Sequence, residues 1–456
     1  MTLDTILELI KLNGRVTSQI ITDLIDDNST RATVMEALYD RYKTETDGVP
    51  IFDRYYDDTA KINRQLNNDF FSEIVDTKTG YLAGVPIVYE TDPESPDFEE
   101  FQLRNRIDDL DAETVKMASI CGTAGRLLYV DTDGKHRIMN VNPWECIWVW
   151  DRSIDEVQFA LRYYLVEYVG PSGQTENKVR VEWYDKDTVT FFIESVNGYI
   201  LDDTEPVNPM PHLFNFVPLI EYPNNEERIG DAEKVLALID AYDRKESDID
   251  SELEQWRLAY MKAIGADITS EVVEDAKYTG AFNLPEGADL AFIEKNINVA
   301  AIDSHLNRLE ANILRFSKSV NFSDQEFTSD ISGESRKYKL LSLENKCIVA
   351  ERKFSASNQR MFKVLASSPN FNLDWLHVTQ KFTRNLPISL EKDAQVLATL
   401  KGIIPDEILY GLASFIDDPK LVIEMMDEQR EKQMNYYPPV NLEEDEDEGA
   451  AAGREV

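Results

Sequence analysis

The segment Ser317–Cys347, SKSVNFSDQEFTSDISGESRKYKLLSLENKC, constrains the fold more than any other part of this 456-residue chain. A helix-like run ends near Val320, a polar and acidic loop follows, and a long cationic helix begins near Ser332. That helix, expected over 334–366, carries eight basic residues: Arg336, Lys337, Lys339, Lys346, Arg352, Lys353, Arg360 and Lys363. Over the same span, 336–363, only Glu344 and Glu351 are acidic. In a chain of net charge −38 this is a sharp local reversal.

The length exceeds one ordinary compact core and implies two to four domains. Apolar residues make up 43% and aromatic residues 10%, as in folded proteins. A free-standing DNA binder is usually basic, so this acidic chain does not grip DNA over its whole surface. Loose, sliding containment of DNA remains compatible with that charge. Cys121, Cys146 and Cys347 are far apart, with no C-x-x-C pair. They read as buried thiols in a reducing compartment. The start, MTLDTILELIKLNG, lacks the basic region and cleavage site of a signal peptide. No window approaches eighteen uncharged apolar residues, so no membrane partner is expected and assembly in cytosol is.

Periodicity divides the chain. Residues 3–12 and 29–43 read as helices, the second with Ser29 as N-cap. NNDFFSEIVDTKTGYLAGVPIVY (67–89) reads as a helix breaking at Gly80 and Gly84 into a strand. Residues 111–121 read as a helix stopped by Gly122. From Gly125 to Ile220, short β-branched and aromatic runs alternate with turn residues, which predicts an antiparallel β region in an α+β domain. Over 229–260, Val235, Leu238, Ile239, Tyr242, Ile249, Leu253, Trp256 and Tyr260 outline one apolar face of a helix about 45 Å long. A small mixed insert (261–300) with a strand DLAFIEKNINV precedes a helix over 302–320. The stretch 371–435 reads as an extended segment and three helices, and the acidic tail beyond Val440 as disordered.

Enzyme signatures are missing. There is no G-x-x-x-x-G-K-[ST], no G-x-S-x-G and no H-E-x-x-H, and His136, His212, His305 and His377 are isolated. No cofactor, metal or catalytic residue is expected. Asp240, Asp243, Asp248 and Asp250 raise the possibility of a metal-dependent nuclease. Their spacing does not put all four on one helix face, which favours a solvated or subunit-contacting surface. Trp144, Trp148 and Trp150 are placed on one strand face, in core or subunit packing rather than base stacking.

Four stretches, in order, resemble the portal proteins of long-tailed, double-stranded-DNA bacteriophages. The first is carried by Asn67, Asn68, Ile74, Val75, Asp76, Lys78, Tyr81, Leu82, Gly84 and Pro86. The second is VLALIDAYDRKESD, with Leu238, Ile239, Asp240, Tyr242, Asp243 and Ser247. The third is SVNFSDQEFTSDISGESRKYKLLSLENK, where Phe327, Ser332 and Gly333 match best and Glu334-Ser335-Arg336 departs from the family's small apolar residue. The fourth is FTRNLPISLEKDAQVLATLKGIIPDEILYGL.

The resemblance implies a portal fold: an α/β wing (1–228), a stem helix (229–260), a small α/β clip (261–300), a second stem helix (301–319), a tunnel loop (320–333), a long wing helix (334–368), a helical crown (369–435) and an acidic tail (436–456). It implies a twelve-subunit ring at one capsid vertex of the virion, assembled in the host cytoplasm. Double-stranded DNA would pass through during packaging and ejection. Terminase, head-completion and adaptor proteins would dock at the clip, and the ring would nucleate procapsid assembly with major capsid and scaffolding proteins. The channel residues would be Lys318, Asn321, Phe322, Asp324, Gln325, Glu326, Phe327, Asp330, Ser332 and Gly333. Acidic groups there would repel phosphate so that DNA slides, with Lys318 as a transient phosphate contact. The basic helix would pair with acidic helices of an adjacent subunit in preference to phosphate. The alternative is an acidic, non-channel adaptor or scaffold-like interaction protein.

Overall fold

The computed structural model describes residues 1–46, 48–56, 62–169, 174–256, 261–282, 284–292, 299–321, 333–385, 390–411, 413, 416 and 419–436. The chain divides into two compact units, Met1–Asn385 and Leu386–Val456.

The first unit opens with helices α1 (Leu3–Asn13), α2 (Ser18–Tyr42) and α3 (Phe70–Ala83). Strand β1 (Val88–Thr91) leads to α4 (Pro96–Asn105) and α5 (Ile107–Cys121). Nine strands follow: β2 (Thr123–Val130), β3 (His136–Val141), β4 (Cys146–Asp151), β5 (Glu156–Val169), β6 (Thr175–Tyr184), β7 (Thr188–Ser195), β8 (Gly198–Leu201), β9 (Met210–Pro211) and β10 (Leu219–Pro223). Then come α6 (Leu236–Trp256), β11 (Met261–Ile264), α7 (Ser270–Thr279), β12 (Asp289–Phe292), α8 (Val299–Ser317), α9 (Gly333–Ala366) and β13 (Val378–Lys381). The second unit contains α10 (Leu390–Leu400), α11 (Asp406–Gly411), whose Leu409 is buried, and α12 (Pro419–Tyr436).

This mixture of helices and antiparallel sheets fits the α+β class. One sheet has the order β4-β5-β6-β7-β8, with β9 also on β7, and another is β10-β2-β3; β1 pairs β13 and β11 pairs β12. Both faces of the larger sheet bury side chains, which is why its strands read as nearly continuous apolar runs. Leu161, Val181, Trp183 and Phe192 lie under Ile6, Ile20, Ile21 and Leu24 of α1 and α2. Ala160, Tyr184 and Phe191 face Leu127, Val217 and Leu219 of the smaller sheet and its approach. Helix α9 is central to the unit: Leu343, Cys347, Ala350, Phe354, Met361 and Leu365, spaced by three, four or seven, pack with Phe98, Phe101, Leu128 and Tyr222.

Several expected boundaries move. The second helix starts at Ser18, capped by Thr17, whose hydroxyl accepts from the Ile20 amide. Ser29 is internal to it, its hydroxyl donating back to the Asp26 carbonyl at 2.7 Å, which accommodates serine inside a helix. Gly80 does not break α3. The helix runs to Ala83, and at Gly84 a Cβ would stand 2.2 Å from the Gly80 carbonyl oxygen. The β region expected to end at Ile220 runs on to Pro223, in β10. The expected helix over 229–260 is α6 preceded by a 3-10 turn at Glu233–Val235, because Asp231 is held by the Ser119 carbonyl before the helix starts. Residues 257–260 lie outside the described residues. The expected 302–320 helix is α8, ending at Ser317, whereas α9 matches its expected bounds to one residue.

Gly122 stops α5 as expected, at φ +82°, and a Cβ there would lie 2.2 Å from the Arg228 carbonyl oxygen. Gly122→Ala adds left-handed strain to that clash. It is expected to destabilise the first unit by about 2 kcal/mol or more, read by urea denaturation.

Candidate functional site

Of the ten expected channel residues, Lys318, Asn321 and Gly333 are described; Phe322, Asp324, Gln325, Glu326, Phe327, Asp330 and Ser332 lie outside the described residues. The two described ends of the segment are geometrically distinct. Helix α8 finishes in a Schellman motif: the Ser319 amide donates to the Leu314 carbonyl at 3.0 Å and the Lys318 amide to the Arg315 carbonyl at 3.4 Å. Lys318 takes the left-handed position usually given to glycine, at φ +57°, and its side chain is exposed. Gly333 opens α9. The carbonyl of Ser317 is not left open: the Lys346 ammonium of α9 donates to it at 3.0 Å.

Lys346 belongs to a buried charge cluster. Asp231 receives the Lys78 ammonium of α3 at 2.8 Å, with Lys346 at 3.7 Å, and the side chains of Lys78, Asp231 and Lys346 are 1%, 5% and 13% exposed. The Ser119 hydroxyl also donates to Asp231, and the Asn224 side chain accepts from Lys78. Burial pushes the Asp231 carboxyl up, but the charges of Lys78 and Lys346 outweigh it and hold the group well below the usual carboxylate range. Burial pushes the Lys346 ammonium down, against the pull of Asp231. Nearby, Arg384 bridges two acids of α9, Glu344 at 3.0 Å and Glu351 at 2.7 Å, and the Tyr81 hydroxyl donates to Glu344 at 2.7 Å.

The acid-rich stretch of α6 is engaged by residues 41–68. Buried positions Val235, Ile239, Asp243, Ser247 and Ser251 follow a four-residue step. Alternate amides of an extended segment are captured along it: Arg64 by the Ser251 hydroxyl at 3.0 Å, Leu66 by Ser247 at 2.9 Å, Asn68 by the Asp243 carboxylate at 3.0 Å. Arg41 pairs with Asp240, Arg54 with Asp248 and Arg64 with Asp250. Each of the four aspartates therefore has its own partner in residues 41–68; Asp243 is buried, whereas the Asp248 and Asp250 side chains stay 39% and 48% exposed, on a solvated face as expected. Among the described residues no group of acids, histidines or cysteines could hold a metal ion. Leu253, expected on the apolar face, is exposed.

Compared with known sequences, the chain matches the family described as "Phage portal protein, SPP1 Gp6-like" over residues 21–436. It is 26% identical to the portal protein of Bacillus phage SPP1, covering 97% of this chain and 92% of that protein. It is 24% identical to the portal protein of Clostridium phage phiCD119, covering 86% and 91%. The chain belongs to the phage portal protein family. That family is a structural, non-enzymatic class of head-to-tail connectors.

Within this portal chain, residues of the separate motifs meet. Asn68 and Asp243 join the first to the second, and Lys78 reaches Asp231 just before the second. Tyr81 and Arg384 converge on Glu344 from the first and fourth. Among the described residues, four cations of the basic helix meet acids within the chain: besides Lys346, Lys353 pairs with Glu226, Arg360 with Asp155 and Lys363 with Glu156. The tryptophans are packing residues. Trp148 donates to the Leu219 carbonyl at 3.1 Å and Trp150 to Glu221 at 3.1 Å, while Trp144 lies in a 3-10 turn before β4, not on the strand face expected, with its ring tilted 40° to that of Tyr39. All three cysteines are buried and free. Among the described residues no helix is long and apolar enough to cross a membrane.

Nothing in the sequence periodicity announced the Lys78–Asp231–Lys346 cluster. The one available signal was a lone lysine in the apolar run of α3. Asp231→Asn leaves two buried ammonium groups without their carboxylate and is expected to cost about 3–5 kcal/mol at pH 7. Because the folded pKa of Asp231 is depressed, its stabilisation is present above the ordinary carboxylate range. It is lost as pH falls further, so the gap between wild type and variant should narrow below about pH 4. Denaturation series at several pH values would read this. Ser247→Ala strands the Leu66 amide and is expected to cost about 1–3 kcal/mol, with faster amide exchange over 62–68.

Proposed function

We propose that this portal chain forms a ring at one capsid vertex, through which double-stranded DNA passes during packaging and ejection. The observation that carries this is the family match over 21–436, whose span includes the whole succession from α6 to α9. In this reading residues 1–228 and 334–368 form the wing, 229–260 and 301–319 the stem, 261–300 the clip, 320–333 the tunnel loop and 369–435 the crown. The packing of Ile239 with Ile313 holds α6 beside α8 and supports their assignment as a stem pair. The antiparallel β11–β12 pair with α7 between them supports a separate small clip.

The tunnel loop carries Asp324, Glu326 and Asp330 with Asn321 and Gln325, a lining that repels phosphate and lets DNA slide. Phe322, Phe327, Ser332 and Gly333 complete it, and Lys318, at the foot of the loop, makes a passing phosphate contact. Terminase and later head-completion or adaptor proteins dock on the clip, and contacts with capsid and scaffolding proteins nucleate the procapsid. Assembly takes place in the host cytoplasm.

Native mass and electron microscopy of the purified chain test the ring: about twelve copies of 52.3 kDa give roughly 630 kDa with an axial hole. Deletion of 322–330 tests the loop. Rings are expected to form while genome packaging and retention fail, and normal packaging in that variant would sink the assignment.

A further inference from the structure

Helix α8 is attached to its unit near one end. Its buried positions are Leu309, Ile313 and Ser317, with Ser319 just beyond, whereas Asp303, Ser304, His305, Asn307 and Arg308 are exposed. The C-terminal end is the fixed point, yet its own cap is weak. The left-handed position is a lysine, and the residue after it is Ser319, not the apolar residue that commonly seals a Schellman motif. The Ser319 hydroxyl is buried without a hydrogen-bond partner.

What holds this end comes from α9. The Lys346 ammonium donates to the Ser317 carbonyl at 3.0 Å and stands 3.7 Å from Asp231. Two buried cations, Lys78 and Lys346, share the single carboxylate of Asp231. The surplus positive charge is met by the C-terminal end of α8, where the unpaired carbonyls concentrate the negative pole of the helix dipole. Buried charge without such compensation is costly.

We propose that Lys346 is the positioning residue for the end of α8, a charged latch that fixes where the chain leaves that helix. Ser317 supplies the carbonyl that it holds, and Asp231 holds Lys346 itself to the loop that precedes α6. The foot of one helix and the lead-in of its packing partner are thereby pinned to one ammonium group. The consequence for DNA passage rests on the reading of 320–333 as the tunnel loop; the latch does not.

The test compares wild type, Lys346→Met, Lys346→Gln and Lys346→Arg in the whole protein. Removing the charge leaves a matched Lys78–Asp231 pair, so the neutral variants keep their core. Amide exchange over 313–321 should nevertheless speed up about tenfold in both, with β5 and β6 unchanged, and Lys346→Arg should restore most of the protection. A purely structural role predicts the opposite pattern, uniform change or none. Wild-type exchange over 313–321 in the folded neutral variants overturns the latch. DNA-filled heads are then counted with each variant as the portal. Fewer filled heads with Met and Gln, rescued by Arg, extends the latch to DNA passage. Freed exchange with normal filling leaves the latch standing and overturns its role in the channel.

Discussion

Lys78 and Lys346 share the buried carboxylate of Asp231, and five pieces of the fold meet at that point. Lys78 brings α3, Ser119 brings α5, Asn224 and Asp231 bring the connection from β10 to α6, and Lys346 brings α9 with the end of α8. Taking such charges from water costs several kcal/mol each, so the cluster adds specificity of arrangement more than raw stability. An apolar replacement would tolerate sliding between these helices. A carboxylate with two ammonium partners tolerates very little, because any displacement leaves a buried charge without its counterpart.

The second organising contact joins a helix to an extended chain. A four-residue step along α6 advances about 6.0 Å and a two-residue step along an extended segment about 6.7 Å. The near match lets Ser251, Ser247 and Asp243 take the amides of Arg64, Leu66 and Asn68 in turn. The segment thus satisfies its backbone on a helix face instead of a sheet edge, and the flanking arginines neutralise the acids around it. The same holds on α9, where Glu226 just after β10 and Asp155 and Glu156 at the start of β5 provide acids close to its cations. A chain of net −38 can keep a strongly basic helix because acids from several elements are placed beside it.

Local signals made much of this protein legible. The run of basic residues in α9 and the glycine at the end of α5 are local features of the sequence, so their elements were found to within a few residues. The β region was recognisable because β-branched and aromatic residues dominate strands buried on both faces. Four family motifs stood in order, and these are enough to place the chain among phage portals. An acidic segment between two helices was legible, and α8 and α9 flank it as expected.

What sequence alone could not decide was which long-range partner each charged or small residue would find. Ser247 and Ser251 continue the register of Val235 and Ile239, but a count of apolar spacing passes over them, since their worth is hydrogen bonding to backbone some 180 positions away. For the same reason the arginine partners of the α6 aspartates and the acids beside Lys353, Arg360 and Lys363 were not legible. Composition and periodicity determined the class and the order of elements, and the four motifs pointed to the family. The tertiary structure decided the pairing of charges, because burial and a fixed distance, neither of them encoded in local spacing, set whether an ion meets water or a counter-ion.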